Sequence, residues 1–230
     1  MPELQIISAN VCPYAQRTRM VLRQKALQFE VVEIDLKDKP DWFAEVSPYS
    51  KVPVLRHDGQ SIYESAVINE YLDEVFPVPP LMPSGAGRRA LARIWIDYCN
   101  SQFCPLFYQV LLSQDVTRQK ELADKLTAVF HFMERQGLQA LQGVGPYWMG
   151  DTAGLVDFTF YPFFERLPVL KHYRGVTIPD DCPALSNWLA VMSKHPSALE
   201  TANTADFHIN NYRKYADASA GGITAQEMKP

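Results

Sequence analysis

A chain of 230 residues, 47% of them hydrophobic, can bury a core and stands near the boundary between one domain and two. A formal net charge of -4 without a basic stripe argues against a nucleic-acid partner, and no apolar run is long enough to cross a membrane. Met1-Pro2-Glu3-Leu4-Gln5 lacks the basic start and apolar centre of a secretory leader, and Cys12, Cys99, Cys104 and Cys182 form neither a disulfide framework nor a C-x-x-C zinc spacing, so no metal is expected and a reducing compartment, the cytoplasm, is.

Leu4 to Ser8 is a short apolar run closed by Ala9-Asn10 and reads as a buried strand. Pro13 to Gln24 holds no glycine and no second proline, and Tyr14, Thr18, Val21 and Leu22 recur at helical spacing; Pro13 suits a first turn, where its missing N–H is not needed. Val32, Ile34 and Leu36 alternate with Glu33 and Asp35, which predicts a half-buried strand and a right-handed parallel crossover. The polar stretch Lys37 to Tyr49 carries a short helical piece around Asp41-Trp42-Phe43. Val52 to Arg56 and Ser61 to Glu64 flank Asp58-Gly59 and form a hairpin. Val67, Ile68, Tyr71, Leu72 and Val75 then make an amphipathic helix that Pro77 ends.

Pro77, Pro79, Pro80, Pro83, Gly85 and Gly87 punctuate the next stretch. Residues 1–78 therefore read as an α/β domain, 79–88 as a linker and 89–230 as an all-helical domain. Leu91, Ile94, Trp95 and Tyr98 form one helical stripe, and Leu122, Leu126, Val129, Phe130 and Met133 another. Further helices are expected over Val156–Leu170 and Leu185–His195, with no strand after Arg88. The small, polar stretch Ala216–Pro230 is a candidate disordered tail.

Cys12 sits where a strand ends and a Pro-started helix begins. Unpaired N–H groups and the positive end of the helix dipole meet there, and both favour the reactive thiolate. Ala15 stands where a resolving cysteine would complete C-x-x-C, so chemistry at Cys12 runs through a mixed disulfide with an external thiol, glutathione being the cytosolic candidate. A lone cysteine is more often a small buried hydrophobe; the strand-to-helix position outweighs that reading. Pro53 inside a strand-like run is unusual, and a cis bond after Val52 would present the Val52 backbone to an extended peptide. Ser65 is a helix cap able to receive a carboxylate, and Glu64 beside it could pair with an amine.

Cys12-Pro13-Tyr14-Ala15-Gln16-Arg17-Thr18-Arg19, Lys37-Asp38-Lys39-Pro40-Asp41-Trp42-Phe43, Val52-Pro53-Val54-Leu55 and Ile62-Tyr63-Glu64-Ser65 occur in one ordered span, with Phe163-Phe164-Glu165-Arg166-Leu167 later. In these stretches the chain resembles the cytosolic glutathione transferases, and the omega class, which carries a cysteine, in particular. The resemblance implies a thioredoxin-like domain with a mixed four-stranded sheet, a helical domain, and a homodimer. It also implies Cys12 as catalytic residue, Lys39 on the glycyl carboxylate, Val52 and Pro53 at the cysteinyl backbone, Glu64 and Ser65 at the γ-glutamyl end, and Tyr14 close to the thiol. One departure stands out: the helical domain's core helix has Gly154 where many members place Ser or Thr three residues before Asp157, with Thr152 as a substitute cap.

Phe107, Tyr108, Tyr161 and Tyr212 are candidates to line a second-substrate pocket, while Cys99 and Cys104 read as packed thiols. The expected function is glutathione-dependent thiol transfer or reduction, on a disulfide, dehydroascorbate or a glutathionyl ketone. The alternatives are conjugation of glutathione to electrophiles, with Ser8 or Tyr14 as hydroxyl donor, and a non-enzymatic binding module.

Overall fold

A computed structural model describes residues 4–229; Pro230 and the Met1-Pro2-Glu3 start of the leader reading lie outside the described residues. Strand β1 (Gln5–Ser8) pairs in parallel with β2 (Glu30–Glu33) across helix α1 (Pro13–Gln24). On its other side β1 pairs antiparallel with β3 (Val54–His57), and β3 with β4 (Gln60–Tyr63), giving the order β2-β1-β3-β4. Short α2 (Phe43–Val46) precedes the hairpin and α3 (Ser65–Val75) follows it. This is the mixed four-stranded sheet of a thioredoxin-like domain.

Successive side chains of β1 serve opposite faces. Ile6 packs into the main core with Leu22 of α1 and Leu72 of α3, whereas Ile7 joins Phe43, Val52 and Val54 in a smaller cluster. That second cluster fixes the segment before β3, so burial of Phe43, worth roughly 2–3 kcal/mol, also positions Val52. The hairpin turns at Asp58 (φ 48) and Gly59 (φ 76), both left-handed, as a two-residue type I′ turn requires. β2 starts earlier than the Val32-Ile34-Leu36 alternation implies. It is an edge strand whose register is set by β1, Glu30 opposite Gln5 and Glu33 opposite Ser8, and whose polar residues stay in water.

Beyond β4 no strand occurs among the described residues. Helix α4 (Ala86–Tyr98) runs through a π-helical turn, Cys99–Phe103, into α5 (Cys104–Leu112). Then come α6 (Val116–Phe132), a second π turn (Met133–Leu138), α7 (Gln139–Leu141), α8 (Leu155–Phe164), α9 (Leu167–Arg174), α10 (Pro183–Met192), α11 (Pro196–Leu199), α12 (Ala205–Ala216) and α13 (Ile223–Glu227). Trp148 stacks on Phe160 at 4.5 Å between centroids and meets Trp188 edge-on.

Three expectations are corrected. The single helix over Val156–Leu170 is two, α8 and α9, because Pro168 has no N–H to continue the ladder and Arg166 N–H turns back to the Phe163 carbonyl. The tail is not disordered over its described part: Ala225 is fully buried and Glu227 pairs with Lys51 at 2.8 Å. Leu91 and Ile94 do not share the buried face of Trp95; Ile94 is 60% exposed.

The start of α8 explains the Gly154 departure. Asp157 accepts from the N–H groups of Gly154 (2.8 Å) and Trp148 (2.9 Å) and from the Trp188 indole (2.7 Å). Leu155 N–H reaches the Leu81 carbonyl, and a Cβ on Gly154 would stand 2.7 Å from that oxygen. A Ser or Thr cap therefore has no room, and none of the hydrogen bonds at this helix end involves Thr152. Gly154→Ala is expected to lower stability by about 1–3 kcal/mol, read as a shift of the urea midpoint; an unchanged midpoint would mean the Leu81 backbone gives way freely.

Burial pushes the Asp157 carboxyl up to about 6 despite its three donors. A carboxyl whose folded value exceeds its unfolded one near 4 binds the proton more tightly when native. Its contribution is therefore full below about pH 4 and is lost as pH rises to about 6, in all about 3 kcal/mol. Unfolding free energies of wild type minus Asp157→Asn should decline across that window; a difference that grows with pH would show the carboxylate to be the favoured form.

Candidate active site

Cys12 is the N-cap residue of α1, with extended backbone (φ -85, ψ 119), and Pro13 opens the helix. Its side chain is half-buried, and its Sγ points at the Val52 carbonyl oxygen, 3.8 Å away. Burial pushes the Cys12 thiol up, against the pull of the Ala15 and Tyr14 N–H groups and the Arg166 and Arg19 charges. The helix end acts as expected, but desolvation outweighs it.

Cys12 opens on a cavity of about 870 Å³, towards the upper end of the ~300–1,000 Å³ usual for small-molecule sites. Tyr14, Lys39, Val52, Pro53, Glu64 and Ser65 all line it. The Val52-Pro53 bond is cis, as is Val78-Pro79, and β3 begins only at Val54, so Pro53 precedes the strand instead of interrupting it. Lys39 is not a free surface lysine: its Nζ donates to the Ser50 carbonyl (2.8 Å) and hydroxyl (3.2 Å). Ser65 is corrected from cap to first helical residue. Glu64 is the N-cap, with φ 70, a conformation that costs a non-glycine residue roughly 1–2 kcal/mol and recurs at binding sites. The first-turn N–H groups of α3 thus begin at Ser65, and the buried Ser65 hydroxyl accepts from Arg17 Nη1 at 3.4 Å.

The four pocket aromatics are corrected too. Phe107, Tyr108, Tyr161 and Tyr212 are buried in the helical core and do not line the cavity. Phe107 lies edge-on to Phe163 and Tyr108 stacks on Tyr212, so these rings hold helix to helix. Asn100, Lys214, Tyr215 and the segment 219–224 with 226–228 line that side instead. Lys37, Lys39, Lys51 and Lys214 face the space, and burial together with the Lys37 charge holds Lys214 below the ordinary lysine value. Glu64 and Glu227 line the cavity too, the latter paired with Lys51, so the lining keeps a cationic excess that suits a ligand with carboxylates. Ser8, the proposed hydroxyl donor for conjugation, is fully buried and lies outside the cavity lining.

Two buried arginines, not singled out as site residues by the sequence reading, join the halves behind Cys12. Arg17 donates to the Thr159 carbonyl (2.8 Å) and Asn100 Oδ1 (2.7 Å); Arg166 donates to Gln16 Oε1 and the Pro162 carbonyl, both 2.6 Å, and reaches the Val11 carbonyl at 3.3 Å. Both stood inside the motifs quoted above, but Arg17 shares α1 with Arg19 and Arg23, and Arg166 follows Glu165 between two helices, so no local signal set them apart. His131, Asp181 and Cys182 offer donor atoms within 4.8 Å of one another, but none of the three lines the cavity.

The family pattern described as "Glutathione S-transferase, N-terminal domain" matches residues 6–80, and "Glutathione S-transferase, C-terminal domain" matches residues 118–190. Glutathione S-transferase omega-1 of Sus scrofa is 32% identical over 195 residues, 84% of this chain and 78% of the relative. Among solved structures, the Tau class enzyme MiGSTU of mango, Mangifera indica, superposes with a TM-score of 0.88 at 25% identity, covering 93% of this chain and 99% of that one. A rice glutathione S-transferase solved in complex with glutathione gives 0.86 at 25%, covering 95% and 98%. No helix among the described residues is long and apolar enough to cross a membrane. With both halves matched in order and a relative of this identity spanning most of the chain, the protein belongs to the glutathione S-transferase family and is a glutathione transferase with omega-class relatives.

Proposed function

We propose that this chain is a glutathione-dependent thiol transferase and reductase working through a mixed disulfide at Cys12. The observation that carries the reading is the single Cys12 sulfur at the start of α1, open to the cavity and facing the Val52 backbone, with no second cysteine in its motif. Glutathione would lie along Val52 and Pro53, its γ-glutamyl carboxylate at the Ser65 N–H and hydroxyl, its amine at Glu64, and its glycyl carboxylate at Lys39. Tyr14 closes the wall beside the sulfur.

The Cys12 thiolate attacks the glutathionyl sulfur of a disulfide or glutathionyl ketone, forming the Cys12–glutathione bond and expelling a thiolate or carbanion that takes up a proton. A second glutathione thiolate then attacks the bound glutathionyl sulfur, releasing oxidised glutathione and restoring Cys12. Dehydroascorbate would take the same two electrons, one from each glutathione. The helical-side wall, Asn100, Lys214, Tyr215 and the tail, would admit the second substrate. We further infer a homodimer, for which Val67 of α3 and Ile94 of α4 supply exposed apolar side chains on the two helices that the Glu70–Arg93 ion pair links, and a reducing, cytoplasmic setting consistent with four free cysteines.

Brief exposure to oxidised glutathione should add one glutathionyl mass to wild type and none to Cys12→Ala. Equal adducts on both proteins would remove Cys12 from the chemistry. Lys39→Ala should raise the KM for glutathione roughly 10- to 100-fold with a smaller change in kcat.

A further inference from the structure

Behind the cavity wall lies a second pair of cysteines that the proposed reaction does not use. Cys99 and Cys104 are both fully buried, their sulfurs 3.7 Å apart, and each sulfur stands 3.3 Å from Nη2 of Arg17. They bracket the π-helical turn Cys99–Phe103, in which the Cys104 N–H donates to the Cys99 carbonyl five residues back. An ordinary α-helix separates residues i and i+5 by roughly 8–9 Å and turns them to different faces, beyond a disulfide's reach of about 7 Å. The widened turn brings the two side chains onto one face and into contact, and such turns recur at functional sites.

We propose that Cys99 and Cys104 are a second redox site, a dithiol that a small hydroperoxide oxidises to an intrahelical disulfide. Access selects the oxidant. The other arm of Arg17 donates to Ser65 and Asn100, which line the cavity, so one layer of side chains separates the pair from open space and only a molecule of few atoms could pass it. Arg17 Nη2, 3.3 Å from both sulfurs, offers its charge to whichever of them ionises, while burial and the adjacent sulfur hold the second as a thiol. The ionised sulfur attacks and its neighbour resolves.

The thiolate of the pair attacks the O–O bond, forming a sulfenic acid and releasing hydroxide or alkoxide. The neighbouring sulfur then displaces hydroxide from that sulfur, and its proton completes a water molecule. Two thiols lose two electrons and two protons, and hydrogen peroxide becomes two waters. Arg17 loses a thiolate acceptor in the process.

The test is stoichiometric hydrogen peroxide on the native wild-type chain, followed by denaturation, alkylation and tryptic mass mapping. Both cysteines fall in one peptide, residues 94–118, separate from Cys12 in residues 1–17 and from Cys182. The expected result is a 94–118 peptide two hydrogens lighter and unalkylated, restored by dithiothreitol, while Cys182 remains alkylated. In Cys99→Ser, dimedone should mark Cys104. A 94–118 peptide that stays doubly alkylated, gains oxygen without forming the link, or cross-links to residues 1–17 overturns the proposal, as does loss of the Cys182 thiol at the same rate, which would mark global unfolding. Because Cys12 is read on its own peptide, failure here is distinct from failure of the thiol-transfer reading.

Discussion

Replacing Cys12 with alanine is expected to cut glutathione-dependent disulfide reduction by on the order of 10³-fold or more, since a covalent route loses its nucleophile. Fold and glutathione binding should survive, because the side chain makes no helix-capping bond and its contact with the Val52 carbonyl is long, at 3.8 Å. The measurement is steady-state reduction of a small glutathione mixed disulfide beside conjugation of a chlorodinitroarene. If reduction persists within tenfold, the mixed-disulfide mechanism fails. If conjugation rises while reduction vanishes, the variant has uncovered the family's other chemistry by leaving the glutathione thiol free in the same cavity.

Arg17→Met should cost about 3–5 kcal/mol, with a fall in Tm of roughly 10 °C. Arg17 is 1% exposed, and methionine fills much of its volume while abandoning the Thr159 carbonyl, Asn100 Oδ1 and the Ser65 hydroxyl. Those acceptors are partly or wholly shut from water, and each orphaned one costs about 1–3 kcal/mol. Arg17→Lys, which keeps the charge but not the fork, should fall between the two. Thermal and urea unfolding decide the matter: a change below ~0.5 kcal/mol would mean that water replaces the guanidinium without strain. Glutathione affinity should fall as well, because Ser65 loses its anchor.

The parts of the chain legible in advance are those fixed by local chemistry. Pro13 at a helix start and Asp58-Gly59 at a turn restrict the backbone whatever surrounds them, and both elements lie where the sequence puts them. The residues lining the Cys12 side of the cavity were legible for a related reason: Cys12, Glu64 and Ser65 stand at helix starts, where backbone groups are unspent. What sequence could not show depends on tertiary choice. Tyr212 and Tyr215 both lie on α12, yet Tyr212 is buried and Tyr215 reaches the cavity; the rotation of the helix decides. The small residues of the tail read as floppy because a short helix that covers a cavity needs little apolar surface of its own, one buried Ala225 and one ion pair sufficing. Nothing local marks Arg17 and Arg166 as buried, because most charged side chains stay in water, and only the folded chain supplies their acceptors.

The break between α8 and α9 turns Glu165 and Arg166 back onto α1, where they hold Gln16, and Arg166 also holds the Val11 carbonyl next to Cys12. The halves are therefore poor candidates for interchange among relatives. A hybrid gene that joined this sheet to a foreign helical half would retain Cys12, Lys39, Val52, Glu64 and Ser65 in its first eighty residues and still misplace the loop before Cys12, unless the donor carried an acid and an arginine at the same corner. Recombination would succeed or fail on that corner, whatever the overall identity of the parents.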